Sequence, residues 1–215
     1  MVDTGGKAPV YDIPGVILAG GLSRRMGGGD KSLLPLGGRP ILSHVIRRLT
    51  PQVQTIYLNA NGDPERFAPF GLPVLPDTVS DNPGPLAGVL AGLDRAAEDG
   101  ADWIVTVAAD TPFFPKNLVR KLADAVEKER YPISLAATQD ESGEQHRHPT
   151  FGLWAVTLRD DLRQALKDGT RKVVAWTDRH GAATARFPAM PFEPFFNINT
   201  AEDMLLAEDI LREEV

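Results

Sequence analysis

Cations set among glycines are the first chemistry this chain offers. Between residues 20 and 31 stand Gly20, Gly21, Ser23, Arg24, Arg25, Gly27, Gly28, Gly29 and Lys31. Glycine lets the main chain approach a ligand and aim its N–H groups at an anion, because no Cβ stands in the way. Arginine and lysine in such a loop make a site for something strongly negative, and a polyphosphate fits that description. Three more polar residues follow short apolar runs: Asn59, Asp77 and Asp110. Asp110 is the best candidate for holding Mg2+, a hard cation that takes one or two carboxylates together with phosphate oxygens. The competing reading makes it a cap for the helix that follows Thr111-Pro112.

To act together these residues need a common frame, and the hydrophobic pattern supplies one. Val16-Ile17-Leu18-Ala19, Val53–Leu58, Leu72–Leu75 and Trp103–Ala109 read as buried strands, each ending where a candidate residue begins. Helices are expected at Ile41–Leu49, with Pro40 in the first turn, and at Leu86–Glu98, opened by Pro85 and stopped by Gly100. Another is expected at Lys116–Lys128, and a short helical piece at Pro64–Phe70. Strand and helix alternating in this way imply βαβ crossovers and a parallel sheet, whose carboxyl edge binds ligands.

After Tyr131 the order is mixed. Ile133–Ala137 and Thr150–Val156 read as strands around a polar loop carrying Gly143, His146 and His148. Helices at Leu158–Lys167 and Arg171–His180, a strand at Ala183–Phe187 and a last helix capped by Thr200 and Asp203 complete the chain. The expectation is an α/β fold: one Rossmann-like domain over residues 13–215, with a mostly parallel central sheet and helices on both faces. Residues 1–12 lack periodicity and read as a flexible tail.

The two familiar phosphate loops fail on spacing. A Walker A loop needs Gly directly before Lys-Ser, yet Asp30 precedes Lys31-Ser32; the dinucleotide fingerprint needs a third glycine where Ser32 stands. Leu18-Ala19-Gly20-Gly21-x-Ser-x-Arg25-Met26-Gly27, then Asp30-Lys31, Leu33-Leu34 and Gly38-x-Pro40, closely resembles the signature of the nucleotidyltransferase fold. Its Leu-Ala-Gly-Gly form with Asp-Lys is similar to the molybdenum cofactor guanylyltransferase family. Asn59-Ala60-Asn61, Pro76-Asp77, Pro83-Gly84-Pro85-Leu86-Ala87-Gly88, Asp110-Thr111-Pro112, His148-Pro149 and Asn197-Ile198-Asn199-Thr200 extend the likeness over residues 14–210.

That resemblance implies a nucleotidyltransferase that moves GMP from GTP onto the terminal phosphate of molybdenum-molybdopterin, releases pyrophosphate and uses Mg2+. It places GTP against the backbone of Leu18, Ala19, Gly20 and Gly21 and against Lys31, Asn59, Asp77 and Asp110, with Asp110 on the metal. Lys31 and Arg25 would offset charge on the triphosphate and on the leaving pyrophosphate. The attacking phosphate monoester is already an anion, so no side-chain base is required, and catalysis reduces to positioning and charge stabilisation. Asn199 is either a second metal ligand, as in related sugar nucleotidyltransferases, or a partner of Asn197 in shaping the loop before the last helix. His146 and His148 lack an acidic third ligand and are a poor metal pair, whereas Arg147 and His148 suit a phosphate of the pterin substrate. The resemblance also implies transient contacts with proteins of cofactor synthesis and with acceptor molybdoenzymes. A cytidylyltransferase of the same cofactor, a sugar-phosphate enzyme and a non-catalytic nucleotide binder are the rival readings; the Gly20-Gly21 pair favours guanine.

Composition narrows the classes further. The chain has 215 residues, 42% hydrophobic and 24% charged, and a net charge of −6, against the basic surface of a nucleic-acid binder. Six Lys/Arg against one acid lie between Gly15 and Thr50, while six acids face one arginine between Ala201 and Val215. With no cysteine there is no disulfide, thiolate nucleophile or thiolate-held metal. No apolar run reaches membrane-spanning length, and a cytoplasmic location is the expectation.

Overall fold

Strand β1, Gly15–Leu18, is an interior strand of the main sheet, apolar on both faces. Val16 and Ile17 are both fully buried, one in each of the two cores that flank the sheet. The computed structural model describes residues 12–20, 30–79, 84–139 and 143–213. Strands β2 (Pro35–Leu36) and β3 (Arg39–Pro40) form a small antiparallel hairpin that the sequence reading had not anticipated. Its two turn residues, Gly37 and Gly38, have φ of 55° and 79°, the left-handed geometry that a two-residue hairpin turn needs. Pro40 consequently ends β3 and stands just before helix α1, Ile41–Leu49, rather than within its first turn.

The main sheet continues with β4 (Ile56–Asn59), β5 (Val74–Leu75), β6 (Trp103–Ala108), β7 (Ile133–Gln139), β8 (Gln145–Ala155) and β9 (Ala183–Pro188). Its order is β5-β4-β1-β6-β8-β7-β9, and only β8 runs antiparallel to its neighbours. The expected α/β architecture with a mostly parallel sheet is the one observed. Helices α2 (Pro85–Glu98), α3 (Leu118–Glu129), α4 (Arg159–Lys167), α5 (Val173–His180) and α6 (Ala201–Glu213) complete the layers. Pro64–Phe70 is helical as expected, but as a 3-10 helix.

Each face of the sheet carries its own core. Leu42, Val45 and Leu49 of α1 join Leu118, Val119 and Leu122 of α3 on one side. On the other, Leu86, Val89, Leu90 and Leu93 of α2 meet Leu162 and Leu166 of α4 and Trp176 of α5. A third cluster of Leu36, Ile41, Phe113, Ile198, Ala207 and Ile210 fastens α6 to the β2–β3 hairpin. Each large aliphatic side chain buried there contributes about 2 kcal/mol, enough to hold the C-terminal helix beside the segment that carries Lys31.

One stretch departs from the sequence reading in kind. The polar segment expected to be a loop around His146 and His148 is the first half of β8, paired with β7 as Ala136↔His148, Ala137↔Arg147 and Thr138↔His146. Its polar residues resemble a loop because this half of the strand is largely exposed. Pairing with β7, an interaction remote from local composition, is what makes it a strand.

Candidate functional site

Register across the parallel strands puts the candidate residues at one level. Leu18 pairs with Asn59 on one side and with Ala108 on the other, and Asn59 pairs in turn with Leu75. Asp77 and Asp110 each lie two residues beyond the last paired residue of their strands, so both emerge above the same carboxyl edge. Two main-chain bonds close the edge: the Ala19 N–H donates to Asn59 O at 2.8 Å, and the Ala109 N–H to Leu18 O at 3.1 Å. Gly20 is exposed at this edge, where a Cβ would lie 3.5 Å from Asn59 Oδ1.

The side chains at this edge fall into two groups. On the β4–β5 side, the Asn59 amide is buried and donates to Asp77 Oδ1 at 2.9 Å and to Leu75 O at 3.1 Å. Asn61 Nδ2 donates to Asp77 Oδ2 at 2.7 Å, and its Oδ1 accepts from the Asp77 N–H at 2.9 Å. Both carboxylate oxygens of Asp77 are thus aimed by amides, which fixes an anionic acceptor at the loop surface. Asn59 has room for this pose because residue 88 is glycine. A Cβ at Gly88 would lie 2.2 Å from Asn59 Oδ1 and 2.7 Å from Leu18 Cδ2.

On the β6 side, Lys31 Nζ lies 2.7 Å from Asp110 Oδ2 and 2.6 Å from Asn199 Oδ1. Lys31 opens a 3-10 turn, Lys31–Leu33, directly after the glycine segment. Asn199 comes from the far end of the chain, 168 residues away. Asp110 is engaged with this lysine and caps no helix, since α3 begins only at Leu118. The two asparagines make different contacts. Thr111 Oγ1 donates to Asn197 Oδ1, which shapes the loop, while Asn199 turns its amide oxygen toward Lys31. Asp203 accepts from the Asn199 N–H at 2.7 Å and the Thr200 N–H at 2.9 Å, and its own N–H donates to Thr200 Oγ1 at 3.1 Å. Those backbone donors hold the Asp203 carboxyl below its ordinary range. The expected capping box is therefore present, and it also orients Asn199.

A contact that the sequence reading missed ties the two groups together. Arg66 Nε lies 2.9 Å from Asp30 Oδ2, and Arg66 Nη2 donates to Asn61 O at 2.6 Å. This arginine bridges the residue before Lys31 to the Asn59–Asn61 loop. Its position in a polar helical turn carried no periodic signal. Gly88 was legible in principle, because a glycine inside a helix costs about 1 kcal/mol relative to alanine and marks a close approach. Gly21 and Arg25 lie outside the described residues.

Beyond the edge, Arg147 pairs at the surface with Asp178 at 2.8 Å. His148 stacks on Phe195, with ring centroids 4.3 Å apart, and its Nε2 lies 2.8 Å from Thr138 Oγ1. The Thr138 hydroxyl donates to Glu193 Oε2 at 2.9 Å, so the imidazole is the donor toward it. Burial pulls the His148 pKa down, Glu193 opposes that, and His146 adds to it. Among the described residues no group of three or more His, Cys, Asp or Glu is placed to hold a metal. No helix among them is long and apolar enough to cross a membrane.

Comparison with known proteins gives the chain a family. Residues 15–183 match the family described as the MobA-like NTP transferase domain. The molybdenum cofactor guanylyltransferase of Bradyrhizobium sp. (strain ORS 278) is 51% identical over 199 residues, 91% of this chain and 92% of its own length. That of Nitrobacter hamburgensis is 52% identical over 197 residues, 90% and 92% of the two chains. This chain belongs to the molybdenum cofactor guanylyltransferase family. It is a nucleotidyltransferase, of a kind that typically uses a divalent metal. Among solved structures, molybdopterin-guanine dinucleotide biosynthesis protein A from Archaeoglobus fulgidus superposes with a TM-score of 0.70 at 22% identity, covering 94% of this chain and all of that one. A 4-diphosphocytidyl-2C-methyl-D-erythritol synthase from Anaerococcus prevotii gives 0.70 at 16% identity, over 94% and 96%. At such identities both likenesses show the fold alone. Membership in the guanylyltransferase family rests on the closer sequence relatives.

Proposed function

We propose that this enzyme transfers the GMP moiety of GTP to the terminal phosphate of molybdenum-molybdopterin, giving molybdopterin guanine dinucleotide and pyrophosphate. The observation that carries this reading is the assembly, at one sheet edge, of Lys31, Asp110 and Asn199 beside the Asn59–Asp77 pair. The nucleoside would lie against Leu18, Ala19, Gly20, Gly21, Asn59 and Asp77, and the triphosphate toward Lys31 and Arg25. Residues 13–215 would serve as one catalytic domain, meeting cofactor-synthesis proteins and acceptor molybdoenzymes only transiently.

The Lys31 ammonium sits between a carboxylate and an amide oxygen at 2.7 and 2.6 Å, so these two hard donors already converge on a cation. They fit Mg2+, which accepts few protein oxygens and fills its remaining positions with water and phosphate. Asp110, with Asn199, would hold that ion, and when bound it would polarise the α-phosphate and offset charge on the leaving group. The chain's own contribution is placement. Lys31 draws the phosphates to the β6 end, Arg66 and Asp30 hold the loop that presents it, and Asn61 keeps Asp77 aimed at the nucleoside. The acceptor phosphate arrives as an anion, and no side chain has to remove its proton.

Thermal shift and pyrophosphate release test the reading. GTP with Mg2+ at a hundredfold excess over its Kd should stabilise by about 2.7 kcal/mol. For a chain of this length that is a rise in Tm of about 5–10 °C. Pyrophosphate should appear from GTP only when molybdenum-loaded pterin is added, and Asp110→Ala should abolish it without unfolding the protein. Equal or greater stabilisation and turnover with CTP, or full transfer by Asp110→Ala, would overturn the assignment.

A further inference from the structure

Lys31 makes an unusual pair of contacts for a residue assigned to a triphosphate. Its ammonium contacts Asp110 Oδ2 and Asn199 Oδ1, the two oxygens proposed above to hold the metal. Its side chain is only 13% exposed, so this is an ordered seat and no solvent-facing pose. Three elements remote in sequence are needed to build it: the turn after the glycine segment, the end of β6, and the capped start of α6. Asp203 supports it from behind by fixing the Asn199 backbone.

We propose that Lys31 is a resident substitute for the divalent cation, and that nucleotide binding exchanges one for the other. This rests on the functional reading above. In the free enzyme, Lys31 satisfies the Asp110 carboxylate and keeps two oxygen donors converged without a metal. A divalent ion entering alongside it would set three positive charges against one carboxylate, and the like-charge repulsion at contact distance opposes entry. An incoming triphosphate brings several negative charges and draws Lys31 toward its own oxygens, leaving Asp110 and Asn199 free to receive a cation. Metal therefore enters with the nucleotide or after it. The site resists loading with free cations, and the donor pair stays organised between turnovers.

Mn2+ in place of Mg2+ allows binding to be read by electron paramagnetic resonance without any turnover. Wild-type protein without nucleotide should bind Mn2+ weakly, and a non-hydrolysable GTP analogue should create a tight site. Lys31→Met should bind Mn2+ without nucleotide at least about tenfold tighter than wild type, the size expected from removing one adjacent positive charge. Lys31→Arg, which keeps the charge, should remain weak. The Lys31→Met, Asp110→Ala double variant should lose the gained site, and circular dichroism checks that each variant is folded. If Lys31→Met binds Mn2+ no better than wild type while the analogue still binds wild type, the exchange is wrong and the nucleotide assignment stands. If neither the analogue nor GTP binds wild type, the functional reading itself is wrong.

Discussion

At the scale of single residues, the site depends on what neighbours leave room for. Asn59 can reach Asp77 only because position 88 has no side chain. Two effects compete in Gly88→Ala. Helix propensity favours alanine by about 1 kcal/mol, but a Cβ at 2.2 Å from Asn59 Oδ1 forces that amide and Leu18 to move, which costs about 1–3 kcal/mol. The clash should win, giving a small net loss of stability by urea denaturation. It should also weaken GTP binding by about tenfold in titration calorimetry, because Asp77 loses one of its two aiming amides. An unchanged GTP affinity would mean that Asn59 does not position the nucleotide. Asn59, Asp77 and Asp110 are legible in the sequence as residues just past strands, a rule of topology, and Lys31 as a cation of the glycine loop. Asn61 and Gly88 stand in quoted motifs with no role attached and Arg66 in none, because each acts through a partner 5 to 36 residues away, which sequence order does not reveal.

Elements were most legible where one face is buried against the sheet. Helix α1 runs from Ile41 to Leu49 as its apolar spacing requires, and α2 starts at Pro85 as proline at a first turn predicts. Strand β8 was half lost, since its first residues are polar and exposed and only pairing with β7 extends it. That extension carries His148, whose environment gives a pH-dependent property. Burial against Phe195, with His146 adding, lowers its pKa although Glu193 pulls the other way. The folded form therefore binds its proton less readily than the unfolded chain, whose histidine titrates near about 6.5. The stability it provides is complete above that value and falls as pH drops through the unfolded pKa toward the lower folded one. Melting temperature should decline between about pH 7.5 and 5.5 in wild type, and more shallowly in His148→Gln. Equal slopes would show that His148 stays solvated and titrates normally.

For the molecule as a whole, β8 decides the mechanical unity of the fold. It is bonded to β6 on one side and β7 on the other, so it joins the parallel strands bearing the proposed nucleotide edge to the β7–β9 half. Trp154, fully buried, donates from Nε1 to Thr106 Oγ1 at 2.9 Å and stacks on Trp176, which couples β8, β6 and α5. Calorimetry should accordingly show one cooperative transition with an unfolding enthalpy of about 150 kcal/mol near 60 °C, and equal van't Hoff and calorimetric values. Two separated transitions would mean that the halves unfold independently. By itself the sequence determined the fold class, the alternation of strand and helix, the convergence of Asn59, Asp77 and Asp110 on one sheet edge, and through its motifs the family. Those properties follow from local pattern, since buried strands and amphipathic helices announce themselves by period and composition. Only the tertiary structure decided that Asn199, and not Asn197, meets the Lys31 ammonium that also pairs with Asp110, and that Arg66 joins Asp30 to the Asn61 loop. It also decided that a lysine ammonium rests where two oxygens converge on a cation. These are contacts between groups far apart along the chain, set by how the hairpin, the sheet edge and α6 pack around Phe113 and Ile198, and no local pattern encodes that packing.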